Sequence, residues 1–172
     1  MDGESCIQQA YEAIFRGDYE AAGEWFERAV EAEPSNASYY YRGSITFARS
    51  GKLSLALTYA SRAVELAPEE PAYAEQLRML QAREKIAQAR ELLSGQPPLA
   101  VQSIPLLKEA FRLDPLAADA RFLLGVAYQM LGEYDKATEA LQEALTLNPQ
   151  YEEAQKLLNE IRSERRRRFK QS

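Results

Sequence analysis

The stretch Glu143-Ala144-Leu145-Thr146-Leu147-Asn148-Pro149 has three counterparts earlier in the chain. They are Arg28-Ala29-Val30-Glu31-Ala32-Glu33-Pro34, Arg62-Ala63-Val64-Glu65-Leu66-Ala67-Pro68 and Glu109-Ala110-Phe111-Arg112-Leu113-Asp114-Pro115. In each, a proline stands five residues after an alanine, and the intervals between the prolines are 34, 47 and 34 residues. A repeated period of this length marks an internal repeat, whose units bury their apolar faces only by stacking on one another. Other residues keep the same phase. Gly17, Gly51 and Gly132 stand seventeen residues before their prolines, and Ala22, Ala56 and Ala137 follow those glycines by five. Gly125 and Tyr128 precede Gly132 by seven and four.

Each unit holds two apolar stripes at helical spacing, with the glycine ending the first helix and the proline stopping the second. In the fourth unit, Phe122, Leu123, Val126, Ala127 and Met130 mark one helix, and Ala137, Leu141, Ala144 and Leu145 the next. Ala10, Ala29, Ser44, Ala63, Gly125 and Ala144 fall where helices must approach closely, so core packing is their expected role. The phasing predicts one domain over residues 1–172, with repeats at about 3–36, 37–70, 71–117 and 118–151.

The third unit carries 13 residues more than the others. Ala72 to Leu93 contains no glycine or proline and is rich in strong helix formers, which predicts one helix of about 23 residues, ~35 Å long. Gln96-Pro97-Pro98 reads as a stiff turn. Pro105 then requires either a helix that starts late, near Ser103, or a kinked one. Tyr151 to Arg168 predicts a capping helix with Tyr151, Ala154, Leu157, Leu158 and Ile161 as its buried stripe, overlapping a basic tail at 163–172.

Apolar residues make up 46% and charged residues 27% of the chain, the balance of a folded soluble protein. No run approaches the ~18 apolar residues of a membrane span. The acidic start Met1-Asp2-Gly3-Glu4-Ser5 lacks the order of a signal peptide, and the single cysteine, Cys6, has no partner for an internal disulfide. Both features point to a reducing interior, most simply the cytoplasm.

The net charge of −5 hides an asymmetry. From Arg162 to Ser172 there are six basic residues and one acid, a balance of +5 that leaves −10 on the rest. So acidic a body repels nucleic acid, and only the tail, with Arg165, Arg166, Arg167, Arg168 and Lys170, could attract it. Four arginines without interleaved aromatics read first as solvated cations at a helix end, and second as a contact for RNA, acidic lipid or an acidic partner.

Histidine is absent, which removes the commonest general base and metal ligand. One cysteine supplies none of the usual zinc sets, and no glycine-rich phosphate loop is present. No catalytic residue, metal or cofactor is therefore expected.

The four phased copies resemble the tetratricopeptide repeat family over roughly residues 3–149. The resemblance implies an all-α solenoid, a right-handed superhelix of antiparallel helix pairs whose first helices line a concave ligand groove. Carried onto this sequence, it places Ile7, Tyr11 and Ile14 on that face from the first unit, and Tyr41 and Ile45 from the second. Phe122 and Val126 come from the fourth, with Arg42, Arg49 and Gln129 as polar handles nearby. The third unit adds Lys85, Ala89 and Leu92 if its register follows Gly95. Family members that grip a chaperone's C-terminal carboxylate use Lys and Asn in the first repeat and Asn in the second. Here Ile7, Tyr11 and Arg42 occupy those positions, so a chaperone tail is not the expected ligand.

An apolar, aromatic lining rimmed by charge suits an extended peptide or an amphipathic helix. The leading expectation is thus a non-enzymatic adaptor or chaperone-like scaffold holding a hydrophobic segment of a partner protein. The alternatives are a structural subunit that self-associates into a homo-oligomer through apolar faces, and an RNA- or membrane-surface protein that uses its basic tail.

Overall fold

The structure is a computed structural model and describes residues 1–171. Those residues form nine helices and no strand: α1 (Gly3–Phe15), α2 (Tyr19–Ala32), α3 (Ala37–Arg49), α4 (Leu53–Leu66), α5 (Pro71–Ser94), α6 (Ala100–Leu113), α7 (Ala118–Met130), α8 (Tyr134–Leu147) and α9 (Glu152–Gln171). The fold is the all-α helical repeat expected from the period. Its contacts divide it into two compact units, Met1–Gln81 and the residues from Ala82 onward.

The first unit stacks α1 on α2, α2 on α3 and α3 on α4. Each turn inside a pair is set by a glycine in the left-handed region, Gly17 at φ 76° and Gly51 at φ 79°, a conformation that costs other residues about 1–2 kcal/mol. The side chain of Asp18 then accepts from the Ala21 amide at 3.0 Å and caps α2, as Asp2 caps α1 through Ser5 at 2.8 Å. The core gathers Ile7, Phe26, Phe47, Tyr59 and Leu80 around Ala10, Ala29 and Ala56. Phe47 meets Tyr59 edge to face at 4.9 Å, and a Cβ on Gly43 would lie 2.8 Å from the Tyr59 ring. A large residue on one helix thus needs a small one opposite. Burying rings like Phe26 stabilises by about 1.5–3 kcal/mol each.

α5 is one helix of 24 residues, about 36 Å long, as the missing breakers predict. Leu77 and Leu80 belong to the first unit's core, while Ala82, Ile86, Ala89 and Leu93 belong to clusters of the second. Met79, on the same helix, is exposed.

In the second unit α6 packs on α7, α7 on α8 and α8 on α9. α6 begins at Ala100 and holds Pro105 inside it, so the late start near Ser103 does not occur. The bond lost there is to the carbonyl of Val101, a residue 62% exposed, so water can replace it. A Cβ on Gly125 would lie 2.6 Å from Leu141 Cγ, which is why α7 and α8 meet where the chain has no side chain. The Arg121 guanidinium lies 3.4 Å above the Phe111 ring. Its Nε sits 2.8 Å from Glu143 Oε2 but outside hydrogen-bonding geometry, so the contact is an ion pair held against an aromatic face.

α9 buries Ala154, Leu158 and Ile161 against α8, as expected of a cap, and continues through the arginine run to Gln171. The basic tail is therefore helical over the described residues, and only Ser172 of it lies outside them. No helix among the described residues is long and apolar enough to cross a membrane.

Candidate functional site

In the first unit, Tyr11 on α1 and Arg42 on α3 are neighbours, with the guanidinium carbon 5.9 Å from the ring centroid. The other edge of Tyr11 meets buried Phe26 at 6.4 Å, so the ring is anchored from below while 47% of the residue stays exposed. On the same helix as Arg42, Tyr41 stacks on Tyr73 of α5 at 4.6 Å. Ile14 and Ile45 are half-buried, and Arg49 is exposed. The first helices of successive repeats thus offer anchored rings, two partly covered aliphatics and two guanidiniums. Such a set can hold apolar side chains and pair with carboxylates on an extended ligand.

Ile7 does not belong to this surface. It is 1% exposed, because Cys6, Ile7, Ala10 and Ala13 together form the face of α1 that packs inward. Tyr41 is also less available than a free anchor would be, since its stack with Tyr73 covers one face of the ring.

In the second unit, Phe122, Val126 and Gln129 lie half-buried along α7. Phe122 packs at 5.0 Å against Tyr151, whose hydroxyl donates to Asp119 at 2.7 Å. Burial, then the bond to Asp119, pushes the Tyr151 phenol well above its ordinary range, so it stays a neutral donor. Arg90 approaches the other Asp119 oxygen at 3.8 Å. Ala89, conditionally placed on the open face, is fully buried, whereas Lys85 and Leu92 are half-buried. The second unit's surface is therefore a polar and aromatic relay of Arg90, Asp119, Tyr151 and Phe122, tied up internally and less open than the first unit's.

Phe15 was not among the expected residues. It is 93% exposed, one turn beyond Tyr11, beside a shallow depression lined also by Gln8, Glu12 and Arg16. Its signal was available, because Phe15 falls off the stripe of Cys6, Ala10 and Ala13 yet is as apolar as any core residue. Of the tail cations, Arg165 pairs with Asp135 at 2.7 Å and Arg168 lies against Tyr134, at 3.3 Å from its hydroxyl. Arg166, Arg167 and Lys170 are exposed. No group of three or more metal-ligating side chains occurs among the described residues.

Two family profiles described as tetratricopeptide repeat match residues 7–71 and 118–151, together more than half of the chain. No curated protein matches the sequence significantly. Among solved structures, MamA from Desulfovibrio magneticus RS-1 superposes with a TM-score of 0.56 at 20% identity, over 95% of this chain and 85% of that one. Another MamA structure gives 0.55 at 21%, over 98% and 88%. YrrB, described as a TPR protein with an unusual peptide-binding site, gives 0.51 at 24%, over 88% of this chain and 72% of that one. At these identities the likeness concerns the fold, and the fold agrees with the repeat phasing and the family profiles. The chain belongs to the tetratricopeptide repeat family, and as a member of it is a protein–protein interaction scaffold.

Proposed function

We propose that this chain is a non-enzymatic adaptor that holds an extended peptide or amphipathic helix of a partner protein along the first helices of its first two repeats. The observation that carries the reading is the Tyr11–Arg42 pair, an aromatic ring fixed from below by Phe26 and left open above beside a guanidinium. Half-buried Ile14 and Ile45 and exposed Arg49 extend the same set of residues. Aromatic rings and arginines are the residue types that most often dominate binding energy, because they bring large contact area at low entropic cost. The ligand that fits is amphipathic, with an apolar side chain for the Tyr11 ring and a carboxylate for Arg42 or Arg49. This is narrower than a purely hydrophobic segment, since Ile7 is withdrawn into the core. The peptide-binding site of YrrB, a protein of the same fold, supports the class of ligand without specifying it. The absence of histidine supports the non-enzymatic reading, and the single buried cysteine supports a cytoplasmic setting.

The test is differential capture from the source cell's lysate with the wild type and with a Tyr11→Ala, Arg49→Ala variant. Both changes lie on open surface, so the variant should keep the helical circular-dichroism spectrum. A partner retained by the wild type and lost by the folded variant is the expected result. Identical capture by both would remove the groove reading.

A further inference from the structure

We propose that copies of this chain associate head to tail, the arginine-rich end of α9 of one copy docking on the outer face of α1 of the next. Two surfaces carry the proposal. Residues 1–33 hold nine acids and two bases, a balance of −7, whereas residues 162–172 carry +5. Each of these oppositely charged segments also carries an exposed aromatic. On α1 it is Phe15, 93% exposed, with Glu12 and Gln8 one and two turns away. On α9 it is Phe169, 89% exposed.

The end of α9 is presented in a defined way. Arg165 and Arg168 continue the inward stripe of Ala154, Leu158 and Ile161 and are held by Asp135 and Tyr134 on α8. That anchoring leaves Arg162, Arg166 and Phe169 at spacings of four and three residues on another face of the helix, all exposed. The result is a basic stripe with one apolar ring, and the outer face of α1 meets it with the carboxylates of Glu4 and Glu12 and the rings of Tyr11 and Phe15, Arg16 being the one cation there.

Complementarity also selects the mode of association. Pairing α1 with α1 would set acid against acid, and pairing α9 with α9 would set base against base. Only the heterologous contact brings opposite charge together. Exposed ion pairs alone hold little, so the two rings supply the adhesion, while the charges set direction, encounter rate and salt dependence. The contact borders Tyr11 but uses Glu12 and Phe15 and neither Arg42 nor Arg49, so mass in solution tests it separately from peptide capture.

The experiment uses the full chain and two variants with one end blocked each. One is Glu12→Arg with Phe15→Ser; the other is Arg162→Glu, Arg166→Glu and Phe169→Ser. All five positions are exposed, and circular dichroism confirms that both variants fold. Mass is measured by sedimentation equilibrium over a concentration series at low and high salt. The wild type is expected to more than double its average mass with concentration at low salt and to return to monomer at high salt. Each blocked variant stays monomeric alone, and an equimolar mixture forms a dimer and nothing larger, because one intact end of each kind remains. A wild type that stays monomeric at low salt overturns the proposal. So does a mixture that fails to dimerise, or a blocked variant that associates as the wild type does. Binding of anionic vesicles or RNA by a monomeric wild type, lost in the α9 variant, would reassign that end.

Discussion

The Arg42 guanidinium carbon lies 5.9 Å from the centroid of the Tyr11 ring, so the first helices of two successive repeats meet through a cation on an aromatic face. A pair this exposed contributes about 0.5–1 kcal/mol to the fold. The same two groups together present a polar edge and an apolar face to any ligand crossing both helices, and there they count for more.

Stability and binding should therefore separate at this pair. Arg42→Ala should lower unfolding free energy by no more than about 1 kcal/mol in urea titration. It should weaken the captured partner by about 2 kcal/mol, some thirtyfold in Kd, if Arg42 anchors the ligand. Calorimetry on Tyr11→Ala, Arg42→Ala and the double variant should show non-additive losses, since the second change removes a group already deprived of its neighbour.

Two glycines should be costly for different reasons. Gly125→Ala places a methyl 2.6 Å from Leu141 Cγ, and overpacking of this kind costs about 1–3 kcal/mol. Gly17→Ala meets nothing within 4 Å, yet its φ of 76° costs an alanine about 1–2 kcal/mol. Denaturant midpoints distinguish them in a Leu141→Ala background. There the Gly125→Ala cost should shrink, because the methyl has a cavity to enter, while the Gly17→Ala cost should stay unchanged.

Alkali should unfold the protein through its buried phenols. Burial first, then the charge of Glu27, pushes the Tyr59 phenol far above its ordinary value. Burial and Glu33 raise Tyr39, and burial and Asp119 raise Tyr151. A group whose folded pKa is raised contributes stability that is whole below its unfolded pKa and is lost as pH climbs beyond it. For tyrosine the loss begins near pH ~10. Thermal melts should fall steeply above that pH, and Tyr59→Phe should flatten the fall without changing melting near neutrality by more than about 1 kcal/mol.

The repeat was legible because period is a property of order alone. Pro34, Pro68, Pro115 and Pro149 could be phased without any knowledge of contacts, and α5 followed from its missing breakers. Pro105 left two readings open, and of these the late start near Ser103 fails, because α6 accepts the proline in its interior at the cost of one backbone bond. The site was legible only as a set of helices. Which side of α1 packs inward depends on Phe26, a residue fifteen places beyond Tyr11, and that tertiary choice buries Ile7 and leaves Phe15 in solvent. Likewise Tyr41 could be read as a free anchor because Tyr73, its stacking partner, lies 32 residues away in the one repeat whose length breaks the period.

The most direct measurement places a photo-crosslinking amino acid at position 11, at position 49 and, as a control, at exposed position 58 on α4. Each variant is expressed in the source cell, irradiated, and its adducts identified by mass spectrometry. The account predicts one shared partner crosslinked from positions 11 and 49 and absent from position 58. A partner captured equally from position 58, or none from positions 11 and 49, would contradict it.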